Sequence, residues 1–128
     1  MTPVKEKELL EKYPKIFRQY DLSMKETCMC WGFECGGGWY DIIDDLCQKI
    51  QNHVDAGKCD QVEAVQVKEK FGGLRFYVDG GDDKVYKWIG VAEDESTKTC
   101  EYCGSSDHVS QSKGSWINTR CKKCMEDV

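Results

Sequence analysis

Four cysteines near the C-terminus have the spacing of a metal site. Cys100 and Cys103 form one Cys-x-x-Cys pair, Cys121 and Cys124 form a second, and seventeen residues separate Cys103 from Cys121. Each pair can wrap one edge of a tetrahedral ion, and Gly104 permits the tight backbone turn of a metal-binding knuckle. The pattern predicts one zinc site built from Cys100, Cys103, Cys121 and Cys124. A catalytic zinc keeps a position open for water, whereas four thiolates fill the tetrahedron, so the expected ion is structural. The segment between the pairs is too polar to hold itself together by burial. Trp116-Ile117 is its only bulky apolar pair, expected on a short strand with one residue packing the ribbon onto the rest of the chain. His108 also lies between the pairs and reads as a bystander, because neither pair lacks a cysteine.

Three further cysteines, Cys28, Cys30 and Cys35, fall within eight residues. A second metal there would need a fourth ligand from Cys47, Cys59, His53 or His108. The alternative is thiols that pack as small hydrophobes. The same stretch places Trp31, Phe33, Trp39 and Tyr40 around Gly36-Gly37-Gly38. It reads either as a compact loop whose aromatics enter the core, or as a loop facing a partner or ligand. Glycines opening a helix can expose N–H groups to an anion, but Asp41, Asp44 and Asp45 crowd the first turns and oppose one. His53, near the end of that helix, reads as solvated or dipole-favoured rather than as a ligand.

These residues need a frame. Trp39, Ile42, Ile43, Leu46, Cys47, Ile50 and Val54 recur at helical spacing and predict one amphipathic helix over 39–55. From residue 62 to 78 the period changes to two, and Gly72-Gly73 predicts a two-residue hairpin turn with Phe71 opposite Leu74 and Glu69 opposite Phe76. One hairpin face is then apolar. The other carries Gln66, Lys68, Lys70, Arg75 and Tyr77, a small basic patch. Glu69 falls on the apolar face, which implies either a different register, the favoured reading, or a half-buried carboxylate with a partner. Thr2 and Pro3 start an N-terminal helix bearing Leu9, Leu10 and Tyr13. Pro14 ends it, and Ile16, Phe17 and Tyr20 predict a second short helix. Asp82 or Asp83 caps a helix reaching about Ser96, with Val85, Trp88, Ile89 and Ala92 inward and Glu93-Asp94-Glu95 as exposed polar surface or a site that meets a basic partner. The expected fold is α+β: helices packed on a small antiparallel sheet around the hairpin, over 1–97, with a zinc ribbon over 98–128. A further strand is expected from 56–64 or 105–120.

Charge and composition narrow the function. The chain of 128 residues carries a formal net charge of −5. Residues 1–97 hold 13 basic and 19 acidic side chains, and residues 98–128 hold 5 and 4. An acidic body argues against broad duplex binding, which requires several phosphates to be neutralised. There is no apolar run near the length of a membrane span and no basic start followed by an apolar core. An odd count of nine cysteines without an export signal favours reduced thiols in a cytosol over a disulfide framework. The two histidines, His53 and His108, form no Cys-His or Ser-His arrangement by spacing. A deaminase His-x-Glu pattern and a phosphate-binding P-loop are both missing. The chain is therefore read as a non-enzyme.

Several blocks together resemble a known group. They are Trp31-Gly-Phe-Glu-Cys-Gly36, Gly38-Trp-Tyr40, the run from Gln66 to Tyr77 containing Lys-Glu-Lys-Phe-Gly-Gly-Leu-Arg-Phe-Tyr, Thr99-Cys-Glu-Tyr-Cys-Gly104, and Gly114-Ser-Trp-Ile-Asn-Thr-Arg-Cys121. In these the chain resembles small zinc-ribbon proteins encoded by bacteriophages and prophages, over most of 30–124. Cys28 and Cys30 fall outside the pattern. The resemblance implies a phage accessory product in a bacterial host cytoplasm and supplies no activity. The leading expectation is a non-catalytic protein that binds a host protein or a defence-system component, as an anti-defence inhibitor would. A second is a nucleic-acid-binding or transcription-modulating ribbon using Lys68, Lys70, Arg75, Trp116, Arg120, Lys122 and Lys123. A third is a small-nucleotide sponge holding its ligand between the 31–40 loop and Arg75. The expected partner-facing residues are Trp31, Phe33, Trp39, Tyr40, Lys68, Lys70, Arg75, Tyr77 and Trp116.

Overall fold

The computed structural model describes residues 1–126. Its centre is the helix with the longest apolar stripe. This helix, α2, runs Tyr40–Asp55, after α1 (Pro3–Lys12) and the two-residue strand β1 (Phe33–Glu34). Trp39, Ile42, Ile43, Leu46, Cys47 and Ile50 of the predicted face are all buried, each large aliphatic side chain contributing roughly 1.5–3 kcal/mol. The hairpin strands β2 (Glu63–Lys70) and β3 (Gly73–Asp79) follow, then α3 (Asp83–Ser96). The strands β4 (Val109–Gln111) and β5 (Thr119–Cys121) and the short helix α4 (Lys122–Glu126) complete the described chain. The fold is α+β, as expected.

The caps are those the sequence implies. The Thr2 side chain accepts from Lys5 N–H with Pro3 at the first helical position, and Asp82 accepts from Val85 N–H at the start of α3. After Pro14 the chain forms only a turn and a single 3₁₀ turn over Arg18–Asp21 rather than a second helix. Ile16 and Phe17 still enter the core, while Tyr20 stays 37% exposed.

The main sheet departs from expectation in two ways. Its third strand comes from neither 56–64 nor 105–120. It is β1, which pairs in parallel with β2 through Phe33 opposite Val67 and Glu34 opposite Lys68, giving a mixed sheet in the order β1-β2-β3. The hairpin turn falls one residue early, on Phe71-Gly72, so Glu69 lies opposite Leu74 and Val67 opposite Phe76. Both turn residues have positive φ, 54° at Phe71 and 81° at Gly72, which is the geometry of a type I′ hairpin. A bulge between Ala64 and Gln66 absorbs Val65. The shift keeps Glu69 on the apolar face, and its carboxylate accepts the Gly72 N–H at 2.7 Å. Glu69 is thus the half-buried carboxylate with a partner.

Helix α3 closes the free edge of β3. Leu74 N–H donates to Ser96 Oγ at 2.8 Å and Phe76 N–H to Glu93 Oε2 at 3.0 Å. Glu93 is therefore half-buried and caps the Phe76 N–H, as Ser96 caps that of Leu74, which spares the sheet an open edge, while Asp94 and Glu95 are exposed as expected. No helix among the described residues is long and apolar enough to cross a membrane.

Candidate metal centre and the adjoining cleft

Cys100, Cys103, Cys121 and Cys124 converge as the spacing predicts. Their four sulfur atoms lie within 4.8 Å of one another, with Cys103 and Cys121 sulfurs 3.7 Å apart. The first knuckle closes through Gly104 N–H to Cys100 C=O at 2.9 Å, with Gly104 at φ +81°. Cys121 ends β5 and Cys124 lies on α4, so a strand-to-helix turn presents the second pair. Burial opposes ionisation of Cys100, but backbone groups of Cys103, Cys121 and Tyr102 outweigh it and bring the thiol down to about 6. Hydrogen bonding to Cys121, followed by burial, pushes Cys124 up to about 12. Four adjacent sulfurs cannot all ionise unaided, and a bound cation removes that conflict. The donor set fits a metal ion, and His108 is no part of it: it is exposed at φ +51°.

The segment bearing the four cysteines is seated on the body at two glycine positions. At the first, Gly38 N–H donates to Glu101 C=O at 2.7 Å and Gly36 N–H to the Glu101 carboxylate at 2.8 Å. A methyl on Gly38 would overlap the Cys100 carbonyl oxygen and stand 2.6 Å from the Glu101 carbonyl. The glycines therefore serve close approach of two backbones. The anion at this loop is Glu101 from the chain itself. Burial raises the Glu101 carboxyl above its usual range, opposed by the Gly36 N–H and helped by the Glu69 charge. Trp39 anchors the same contact, fully buried, with its indole N–H donating to Thr99 C=O at 3.0 Å.

The second seat is the hairpin turn. Thr119 Oγ1 donates to Gly72 C=O, and a methyl on Gly72 would stand 2.7 Å from Ile117 and 2.9 Å from Thr119 Oγ1. Ile117 is the member of the apolar pair that packs the ribbon down. Trp116 points out, 76% exposed.

Between the two seats lies a cleft of about 570 Å³, bordered by Lys5, Cys35, Glu69, Glu101, Trp116 and Arg120 among others. The Arg120 guanidinium stacks on Tyr102, 3.8 Å from the ring centroid, and its buried Nε has no hydrogen-bond partner. A second hollow of about 160 Å³ adjoins it between Phe71 and Trp116. Phe71, 66% exposed, and Tyr102, 59% exposed, complete an aromatic rim with Trp116.

The other expected site residues are dispersed. Cys28 is exposed, Cys30 half-buried with its thiol directed at Thr27 C=O at 3.4 Å, and Cys35 buried. They do not gather into a ligand cluster among the described residues. Burial pushes the Cys35 thiol up to about 12 and the Cys47 thiol well above its ordinary value, as for thiols packed as small hydrophobes. Phe33 and Trp39 are core residues and cannot meet a partner. Tyr40 is half-buried and donates to Glu8 at 3.1 Å, while Trp31 is 62% exposed. On the outward hairpin face the earlier turn puts Lys68, not Lys70, opposite Arg75 and Gln66 opposite Tyr77, with Lys70 at the tip. Spacing alone missed Phe71, Tyr102 and Glu101 as surface or seat residues. It also missed the grouping of His53, Cys59 and Asp82. A bulky residue at a turn position was the available signal for Phe71. Comparison with family models, curated proteins and solved structures returns no match.

Proposed function

We propose that this is a non-catalytic binding protein of a bacterial cytoplasm, in which a structural zinc on Cys100, Cys103, Cys121 and Cys124 holds the ribbon against the body. The surface so assembled, Phe71, Tyr102 and Trp116 with Arg120, engages a host protein or a component of a host defence system. One observation carries the reading. Phe71 occupies a left-handed turn position at φ 54° while 66% exposed. Such a conformation costs a bulky residue on the order of 1 kcal/mol or more, and glycine or asparagine would fill it better. Phenylalanine there gives the fold little, so its use is outside the fold. Aromatics and arginine around hollows are the composition of interface hot spots. The phage resemblance motivates the class of partner.

A capture experiment from bacterial lysate tests this, comparing the wild type with Phe71→Asn/Trp116→Ala. A specific partner held by the wild type and released by the double variant supports it. A partner held equally by both, or none at all, overturns it. The cross-strand pair Lys68 and Arg75 favours nucleic acid as the second reading; it requires a gel shift at low salt that fades steeply as salt rises. The nucleotide-sponge reading is less favoured, because Glu101 accepts the Gly36 and Gly38 N–H groups and one Arg75 donor is used on Leu74 C=O at 2.9 Å.

A further inference from the structure

The geometry points to a second metal site, at the junction of α2 and α3, formed by His53, Cys59 and Asp82 and taking a zinc-class divalent ion with one open coordination position. It is independent of the cysteine quartet and of the aromatic rim. His53 comes from the last turn of α2, Cys59 from the loop that follows, and Asp82 from the start of α3. Packing brings one nitrogen, one sulfur and one carboxylate oxygen within 4.8 Å of one another. That mixture of donors suits a borderline-soft ion such as zinc rather than calcium or magnesium, which prefer oxygen.

The details favour an ion over a simple bridge. His53 Nε2 and Asp82 Oδ2 are 2.7 Å apart, so two potential ligand atoms already face each other. Two ligands on tetrahedral zinc stand about 3.3 Å apart, so the pair need part by only about 0.6 Å. The other oxygen, Asp82 Oδ1, accepts Val85 N–H at 3.0 Å and fixes the carboxylate. Trp88 meets the imidazole edge-on, with centroids 5.2 Å apart at 85°, and fixes the ring. The carboxylate is thus held by a hydrogen bond and the imidazole by ring packing. The His53 side chain is 11% exposed and that of Asp82 38%, so the site is sheltered yet open to an entering ion and a water. Asp60, close enough to act on the Cys59 thiol, adds negative charge around the position.

The test is metal stoichiometry of the full chain at equilibrium with zinc under reducing conditions, for the wild type, Cys59→Ala and Asp82→Asn. Asparagine keeps the helix cap while removing the charge, so Asp82→Asn remains folded by circular dichroism. Two ions per wild-type chain, falling to one in both variants, is the expected result. Cobalt substitution adds a readout that a structural hydrogen bond would not move: the spectrum of the second ion added to wild type should be absent from Cys59→Ala. One ion per wild-type chain overturns the assignment, as does a count of two that survives both substitutions.

Discussion

A single methyl group at Gly38 tests how the ribbon is held. In Gly38→Ala the new carbon would overlap the Cys100 carbonyl oxygen and lie 2.6 Å from the Glu101 carbonyl, where ordinary contact begins at 3.4 Å. Both sides are backbone, so no rotamer change absorbs the clash, and the two segments must separate by about 0.8 Å or more at the Glu101 contact alone. The hydrogen bonds at stake are Gly38 to Glu101 C=O, Gly36 to the Glu101 carboxylate, and Trp39 to Thr99, at 2.7, 2.8 and 3.0 Å. At about 1 kcal/mol for each neutral bond and 1.5–3 for the charged one, the loss is roughly 3.5–5 kcal/mol. That is a large part of the ~5–15 kcal/mol by which domains of this size are stable. Urea unfolding of the zinc-loaded protein measures it, with zinc release to a chelator as a second readout. Gly90 is the control: it lies within α3, a methyl there meets nothing within 4 Å, and Gly90→Ala should stabilise by about 0.5–1 kcal/mol. If Gly38→Ala unfolded within 1 kcal/mol of wild type (about one lost hydrogen bond) and released zinc at the same rate, the seating would be wrong.

Three further outcomes are expected. Phe71→Asn should change stability by less than about 1 kcal/mol, because relief of the left-handed strain offsets lost partial burial and the contact of Lys70 with the ring; a core phenylalanine would cost about 3–5 kcal/mol, and urea unfolding separates the two. Arg18 and then Gln19 hold the Glu63 carboxyl below its usual range, so its contribution is present above the ordinary carboxylate range and is lost as pH falls through the depressed folded value. The stability gap between wild type and Glu63→Gln should therefore shrink on acidification, and a gap that widened would contradict the sign. Cys121→Ser should lower zinc content by one ion per chain and destabilise the fold, as read by elemental analysis and thermal melting; a variant with full zinc content would remove the quartet as a site.

The sequence made some features readable and hid others for physical reasons. Cys100, Cys103, Cys121 and Cys124 were legible because knuckle geometry is local: each pair binds across three residues. The α2 stripe was legible because burial of one helix face imposes its period. The hairpin was legible in kind but not in register, since Gly72-Gly73 invites a turn on both glycines. Gly72 is instead kept bare by Ile117 and Thr119, residues more than forty positions away. Gly36 to Gly38 misled in the same manner, their cause being Cys100 and Glu101 across a tertiary contact. Strand β1 spans two residues and carries no period to detect. His53, Cys59 and Asp82 each look ordinary alone, and only the packing of α2 on α3 makes them neighbours.

Amide hydrogen exchange with and without the metal addresses the stapling directly. In the zinc-loaded protein, Gly38 and Glu101 amides should be protected together, the first by Glu101 C=O and the second by Thr119 C=O. After chelation both should exchange rapidly while Ile43 to Ile50 within α2 stay protected. Gly38 retaining its protection in the metal-free protein would contradict the claim that an ion on the four cysteines holds the ribbon in its seats.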